Sequence, residues 1–213
     1  MKKFIMVAVF AMMVVNMFGQ TSFNVSGDVQ ISSNNISLGT GIEFEKAHAF
    51  IGHMNAGVQY KDFGLSVSYS GYKSLTGSET MFNLVDLIGS YKVNSELTIM
   101  AGYELTYWDH KIEDDEIGDG IFAMATWSKG KFSTTGIIFT NPQFSFIYLI
   151  ESANYQITDH VSAYGLVAYT NAEAYPFYGL AGLKVSKGSI SVGAYGIARY
   201  NSPGVTINLE IGF

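Results

Sequence analysis

The 213-residue chain contains no cysteine. Disulfides, thiolate metal centres and cysteine nucleophiles are therefore excluded. Proline is scarce, at 3 residues, whereas glycine reaches 23 and aromatics 15%. Positive charge is the minority sign, with 12 Lys and Arg against 18 Asp and Glu. An acidic chain lacks the basic footprint that nucleic-acid phosphates require, so no nucleic-acid partner is expected. Beyond residue 19 no apolar run approaches the length of a helical membrane span. No Walker, dinucleotide or zinc motif is present, and neither a cofactor nor a metal is expected.

What is present begins with the amino terminus. Met1-Lys2-Lys3 is a short basic segment, and Phe4 to Phe18 is apolar except for Asn16. That run is too short to span a bilayer but suits a secretory signal cut after Gly19. The expected organisation is a signal peptide over 1–19 and one domain over 20–213. No cysteine follows the apolar run, which excludes a lipid-anchored lipoprotein.

At the other end, Val205, Ile207, Leu209, Ile211 and Phe213 alternate with Thr206, Asn208, Glu210 and Gly212. Odd and even side chains of a strand point to opposite faces. One face is wholly apolar and ends in an aromatic; the other carries an amide, a carboxylate and a hydroxyl. This strand resembles the C-terminal strand of Gram-negative outer-membrane β-barrels, and the strand texture of the whole mature chain resembles porin-like barrels. The resemblance implies an integral outer-membrane location and lipid and lipopolysaccharide as surroundings. It also implies assembly machinery that reads Phe213.

The alternation continues along the chain in segments of about ten residues separated by turns. Strands are predicted over 49–60, 63–72, 82–93, 97–108, 120–129, 132–141, 144–157, 161–170, 177–185, 189–200 and 204–213. The stretch 22–42 reads as one further strand with a bulge at Asn34-Asn35. The expected fold is all-β: a single antiparallel barrel of about 12 strands, with 10 or 14 following if one hairpin is misread. Short turns fall at Lys61-Asp62, at Lys129-Gly130 and Lys187-Gly188, and at Asn94-Ser95-Glu96 and Thr158-Asp159-His160. Longer connections alternate with them, the outer-membrane pattern with the short turns periplasmic.

Parity assigns the faces. Tyr60, Phe63, Tyr91, Trp127, Phe132, Tyr155 and Phe213 face outward near the short-turn end. Tyr103, Tyr107, Tyr169, Phe177 and Tyr200 face outward toward the other. Two aromatic belts bounding an apolar band are what membrane interfaces select.

Inward polar positions are Asp28, His53, Asn55, Gln59, Asp86, Lys92, Glu104, Lys184, Arg199 and Glu210. A three-residue turn at Asn94-Ser95-Glu96 places Asp86 directly opposite Glu104. Like charges so opposed repel, and a cation, a proton or a basic partner must compensate. In a ring of twelve, Arg199 stands half a turn from Glu104. Acid on one wall and base on the other resembles a porin constriction, whose transverse field filters ions. The competing reading is a salt-bridge network that fills the bore, helped by Phe122, Met124, Met100, Ile88, Leu166, Leu180 and Ile197. Glu151 falls outward by strict parity; a bulge near Ser152-Ala153 is expected to return it to the lumen. With Val185 opposite Ile190, Gly182 faces Gly193 and Leu180 faces Tyr195; small pairs beside large ones let inward tyrosines lie over glycine, so Tyr72, Tyr164, Tyr178 and Tyr195 are expected to line the bore or to fill it.

Two further features carry less. The segment 109–119 holds six carboxylates without EF-hand spacing, so it reads as a solvated charged loop. Catalysis is disfavoured: Asp109-His110 and Asp114-Asp115 share one loop, His160 lies in a turn, and His53 has no evident inward serine-and-acid set. The expected protein is not an enzyme. It is a small porin-like barrel that passes small polar solutes or ions of unknown identity. The alternative is a structural or surface-interaction barrel with a filled lumen.

Overall fold

The computed structural model describes residues 21–32, 49–74, 81–108, 119–141, 145, 147–171, 177–199 and 204–213. Twelve strands follow one another: β1 (Thr21–Ser32), β2 (Ala49–Tyr60), β3 (Phe63–Ser74), β4 (Met81–Lys92), β5 (Leu97–Trp108) and β6 (Gly120–Lys129). They continue as β7 (Phe132–Thr140), β8 (Ile147–Gln156), β9 (Val161–Thr170), β10 (Phe177–Lys187), β11 (Ile190–Arg199) and β12 (Gly204–Gly212). Each pairs antiparallel with its neighbour in sequence, and β12 returns to β1, so the sheet closes. Closure removes the free edges that an open sheet would expose. The bulge expected at Asn34-Asn35 lies outside the described residues.

The short turns set the register. Lys61, Gly130 and Gly188 have positive φ (53°, 60° and 61°), the backbone state that keeps a two-residue hairpin aligned with strand twist. In two of the three, the turn begins on that glycine. Lys129 pairs with Phe132 and Lys187 with Ile190, so each lysine stays in its strand. This corrects the expected β10–β11 register by two residues. Val185 opposes Val192, Gly182 opposes Tyr195, and Leu180 opposes Ile197. Ser186 and Ser191 then meet, their hydroxyls 2.9 Å apart. The three-residue turns form as expected. Val93 N–H donates to Leu97 O (2.9 Å) and Ile157 N–H to Val161 O (2.9 Å). Asn94 Oδ1 accepts from the amides of Glu96 (2.8 Å) and Leu97 (2.9 Å), the local bonding that makes Asn a turn residue.

The seam between β1 and β12 pairs Asp28–Ser32 with Asn208–Gly212. Phe213 extends it: Gly27 N–H donates to Phe213 O (3.0 Å) and Phe213 N–H to Gly27 O (2.8 Å). The aromatic ring lies over Gly27, where a Cβ would come within 2.6 Å of it.

The faces are those that parity assigns. Val25, Leu65, Leu87, Val167, Leu183 and Ile207 are exposed on the outer wall. So are the belt aromatics Tyr60, Phe63, Tyr91, Phe132, Tyr155 and Phe213 at one end, and Tyr103, Tyr169 and Phe177 toward the other. The side chains of Tyr107 and Tyr200 lie outside the described residues. The core is inside the ring. Ile150, Leu166, Ala168, Tyr178, Leu180, Tyr195 and Ile197 form its buried apolar cluster, with Ile137, Tyr148 and Tyr164 packed against it. The protein thus turns its apolar side chains outward on every wall and fills one sector of its bore.

Candidate solute pathway

Two sectors divide the interior. The strands β8–β11 supply the apolar and tyrosine sector just described. The strands β12 and β1–β5 supply a polar one.

Within the polar sector, Asp86 on β4 pairs directly with Glu104 on β5. The placement follows from the Val93–Leu97 turn, because the ladder between them is continuous. Ser68 on β3 flanks Asp86, and Gly120 on β6 flanks Glu104. Asp86 Oδ1 is buried and has no hydrogen-bond partner among the described residues. No ion pair among the described residues reaches either carboxyl. Two acids side by side without a cation is a costly arrangement that a shared proton, or a passing or bound cation, relieves.

The opposite wall is β11, six strands from β5 in the ring. Arg199 is its last residue and pairs in register with Tyr178. The Arg199 side chain lies outside the described residues. Asp86 and Glu104 sit mid-strand, so Arg199 stands nearer the long-loop rim than the acid pair does.

Glu210 is engaged. Lys184 Nζ donates to Glu210 Oε2 at 2.7 Å, both side chains about a quarter exposed. The bridge crosses β11, where Gly193 separates Lys184 from Asn208 and Ser191 pairs with Glu210. Sequence counting places both residues inward. It could not pair them, because the β11–β12 register depends on the connection 200–203.

His53 has the company that sequence reading denies it. Ser70 Oγ lies 2.8 Å from His53 Nδ1, and Asp28 is the register partner of His53 on β1. Counting up the tight Tyr60–Phe63 hairpin gives the Ser70 pairing, so that half was legible. Asp28 Oδ2 accepts from Gln30 Nε2 at 3.0 Å, and Tyr72 packs edge-on to the imidazole at 6.1 Å between centroids. A nucleophilic triad needs the acid to orient the base. Among the described residues no hydrogen bond joins Asp28 to His53, so the group is a polar network rather than a catalytic constellation.

Tyr178 and Tyr195 point inward and are buried, Tyr195 almost completely at 1% exposure. The Tyr195 ring folds back along its own strand over Gly193, where any Cβ would run into it. Tyr164 meets Tyr195 edge-on at 6.0 Å. The ring also borders Gly182, its register partner across the hairpin, where a Cβ would stand 2.8 Å from Cδ1.

Glu151 requires a correction. The β7–β8 and β8–β9 ladders run unbroken through Ser152 and Ala153, so the expected bulge is absent. Glu151 stays on the outer wall, exposed, opposite Gly136 and hydrogen-bonded to the Thr134 hydroxyl. It is not a lumen residue. The cost of an outward acid did not re-route the backbone; a neighbouring hydroxyl and a glycine accommodate it instead. Of the acidic segment, 109–118 lies outside the described residues. Asp119 Oδ1 accepts from the Thr106 amide at 3.1 Å.

The KdgM porin superposes with a TM-score of 0.61 at 12% identity, covering 88% of this chain and 99% of that one. The barrel has the fold of a porin. A KdgM porin in complex with disordered oligogalacturonate matches at a TM-score of 0.59, with 12% identity and the same coverage. Variants of the Rh. blastica porin align over 91% of this chain and 100% of theirs, at a TM-score of 0.47 and about 10% identity. No protein-family model and no curated protein matches the chain.

Proposed function

We propose that this protein is an outer-membrane channel of porin type that passes small polar solutes and favours cations. Its non-catalytic character belongs to this reading. The outward apolar band between aromatic belts supports membrane insertion, since a surface of that extent facing water would be costly. Outer-membrane lipid and lipopolysaccharide would then be its surroundings, and Phe213, seated on Gly27 at the seam, the residue read during assembly.

The observation that carries the functional reading is the Asp86–Glu104 pair, two inward carboxyls without a cationic partner among the described residues. Asp28 and Glu210 add to the acid of the same sector, against Lys92 on β4 and the Lys184 that pairs with Glu210. A field of that sign concentrates cations and repels polyanions. Oligogalacturonate, the ligand named for the KdgM porin complex, is a polyanion and does not suit this lumen.

One observation favours the second reading, a barrel whose bore is closed. The cluster around Tyr195 fills one sector with packed side chains, and Lys184–Glu210 ties β10 to β12. Planar-bilayer recording with the purified, folded barrel separates the two. Discrete conductance steps support the channel. Silent bilayers containing inserted, heat-modifiable protein support the filled barrel.

A further inference from the structure

The outer wall carries one hollow that the channel does not use. Its floor is made of small residues that adjoin across β4–β7: Gly89, Ala101, Ala123, Ala125 and Gly136. The larger Tyr91, Ile99 and Ile138 stand exposed along its sides. The groove encloses about 660 Å³, within the roughly 300–1,000 Å³ of ligand clefts.

Its position along the barrel limits what can fill it. Ala125 lies four residues above Lys129 on the same face of β6, and Ala123 six. At about 3.3 Å rise per residue and a tilt near 40°, the groove runs from about 10 to about 15 Å above that lysine. The apolar band is roughly 25 Å tall, so the groove ends near its middle. An occupant entering from the short-turn rim spans one leaflet.

The rim below the groove is cationic. Trp127 and Phe132, their rings 5.9 Å apart, stand between the two at the level where membrane interfaces select aromatics. Beneath them Lys129 and Lys131 flank Gly130 in the β6–β7 turn. Lys129 Nζ lies 3.5 Å from Glu96 Oε1, with both side chains exposed. An exposed pair of that length is worth little, and Glu96 also accepts from Trp127 Nε1 at 3.3 Å. Lys131 Nζ donates to Ile157 O at 3.2 Å, and among the described residues no ion pair engages it. An ammonium has three donors. Each lysine therefore keeps donors to give, and two cations stand against the Glu96 carboxylate.

We infer that this face binds one anionic phospholipid from the short-turn side, its phosphate at Lys129 and Lys131 and an acyl chain in the groove. A single lipid meets both requirements. Its flexible apolar chain fills a shallow hollow that stops in mid-membrane. Its phosphate supplies the negative charge that the lysines lack, as basic residues at a membrane surface attract anionic lipid. This rests on the membrane reading proposed above.

The chain holds two tryptophans, so Trp108→Phe leaves Trp127 alone beside the site. This parent barrel is folded into phosphatidylcholine vesicles containing brominated phosphatidylglycerol, and into a matched set containing brominated phosphatidylcholine. Bromine quenches Trp127 only from lipids that touch its surroundings, so the two curves give the relative affinity for the two headgroups. Phosphatidylglycerol should be preferred about fivefold, the scale of one surface lysine on anionic lipid. Lys129→Gln combined with Lys131→Gln should bring the ratio to about one, whereas Lys187→Gln, at another turn, should leave it unchanged. Ala125→Leu fills the floor and should also lower the ratio toward one with both lysines in place. Heat-modifiable mobility checks the folding of each variant, and Ala101→Leu fills the same groove should Ala125→Leu not fold. Equal affinity for the two lipids in the parent, or a preference that survives either the loss of both lysines or the filled groove, overturns the site. Absence of quenching by both brominated lipids overturns instead the membrane reading beneath it.

Discussion

Tyr195 offers the sharpest test of how the bore is packed. Among the described residues it is the largest fully buried side chain, at 1% exposure, and it sits within the apolar cluster. Tyr195→Ala removes a ring that contacts Tyr164 and covers Gly193. Large aromatic-to-alanine changes in cores cost about 3–5 kcal/mol. A value near 3 is expected here, because part of the ring's role is to cover its own strand. Tyr155→Ala, on the outer wall at 50% exposure, should cost less than about 1 kcal/mol. The assay is reversible urea unfolding of the barrel in lipid vesicles, followed by tryptophan fluorescence from Trp108 and Trp127. A second arm isolates the contact itself. Gly193→Ala forces a Cβ into the Tyr195 ring and should destabilise the wild type, but hardly the Tyr195→Ala variant. The coupling from that cycle should exceed about 1 kcal/mol, as for residues in direct contact. Equal costs for Tyr195→Ala and Tyr155→Ala, or no coupling between positions 193 and 195, would refute the packed-bore argument.

Other consequences follow from the same placement. Ala101→Arg puts a charge on the outer wall and should cost about 2–4 kcal/mol, whereas Arg at inward Met100 should cost less; the reverse order in vesicle unfolding would invert the faces. Deleting Phe213 removes the two backbone bonds to Gly27 and the ring above it. The truncated chain should be degraded rather than inserted, and normal outer-membrane levels with heat-modifiable mobility would contradict this. Asn94→Ala removes the acceptor for two turn amides and should cost about 1 kcal/mol in the same unfolding assay.

Much of this architecture is legible from parity and turns, for a physical reason. A closed barrel makes every strand obey one alternation, so each outward row repeats the same apolar signal. Tight turns then fix register locally. The Val93–Leu97 turn alone places Asp86 against Glu104, and Tyr60–Phe63 places His53 against Ser70. What was not legible depended on longer connections or on competing costs. Asp28 meets His53 across the connection between β1 and β2, and Lys184 meets Glu210 across β11. The β10–β11 register slipped by two because a Lys-Gly turn and a Gly-Ser turn read alike, while φ at Gly188 selects the second. Glu151 keeps its outward parity because local accommodation costs less than a bulge in the ladder. Thr134 and Gly136 supply that accommodation, and the ladder stays intact.

The central claim is that the Asp86–Glu104 pair, without a cationic partner among the described residues, faces a conducting lumen. Its most direct test is the reversal potential of the reconstituted barrel across a potassium chloride gradient. The account predicts cation preference for the wild type and a shift toward anions when Asp86→Asn and Glu104→Gln are combined. Arg199→Gln should shift it the other way. A conducting wild type whose selectivity ignores the loss of both carboxyls would contradict the account, and so would folded, inserted protein that never conducts.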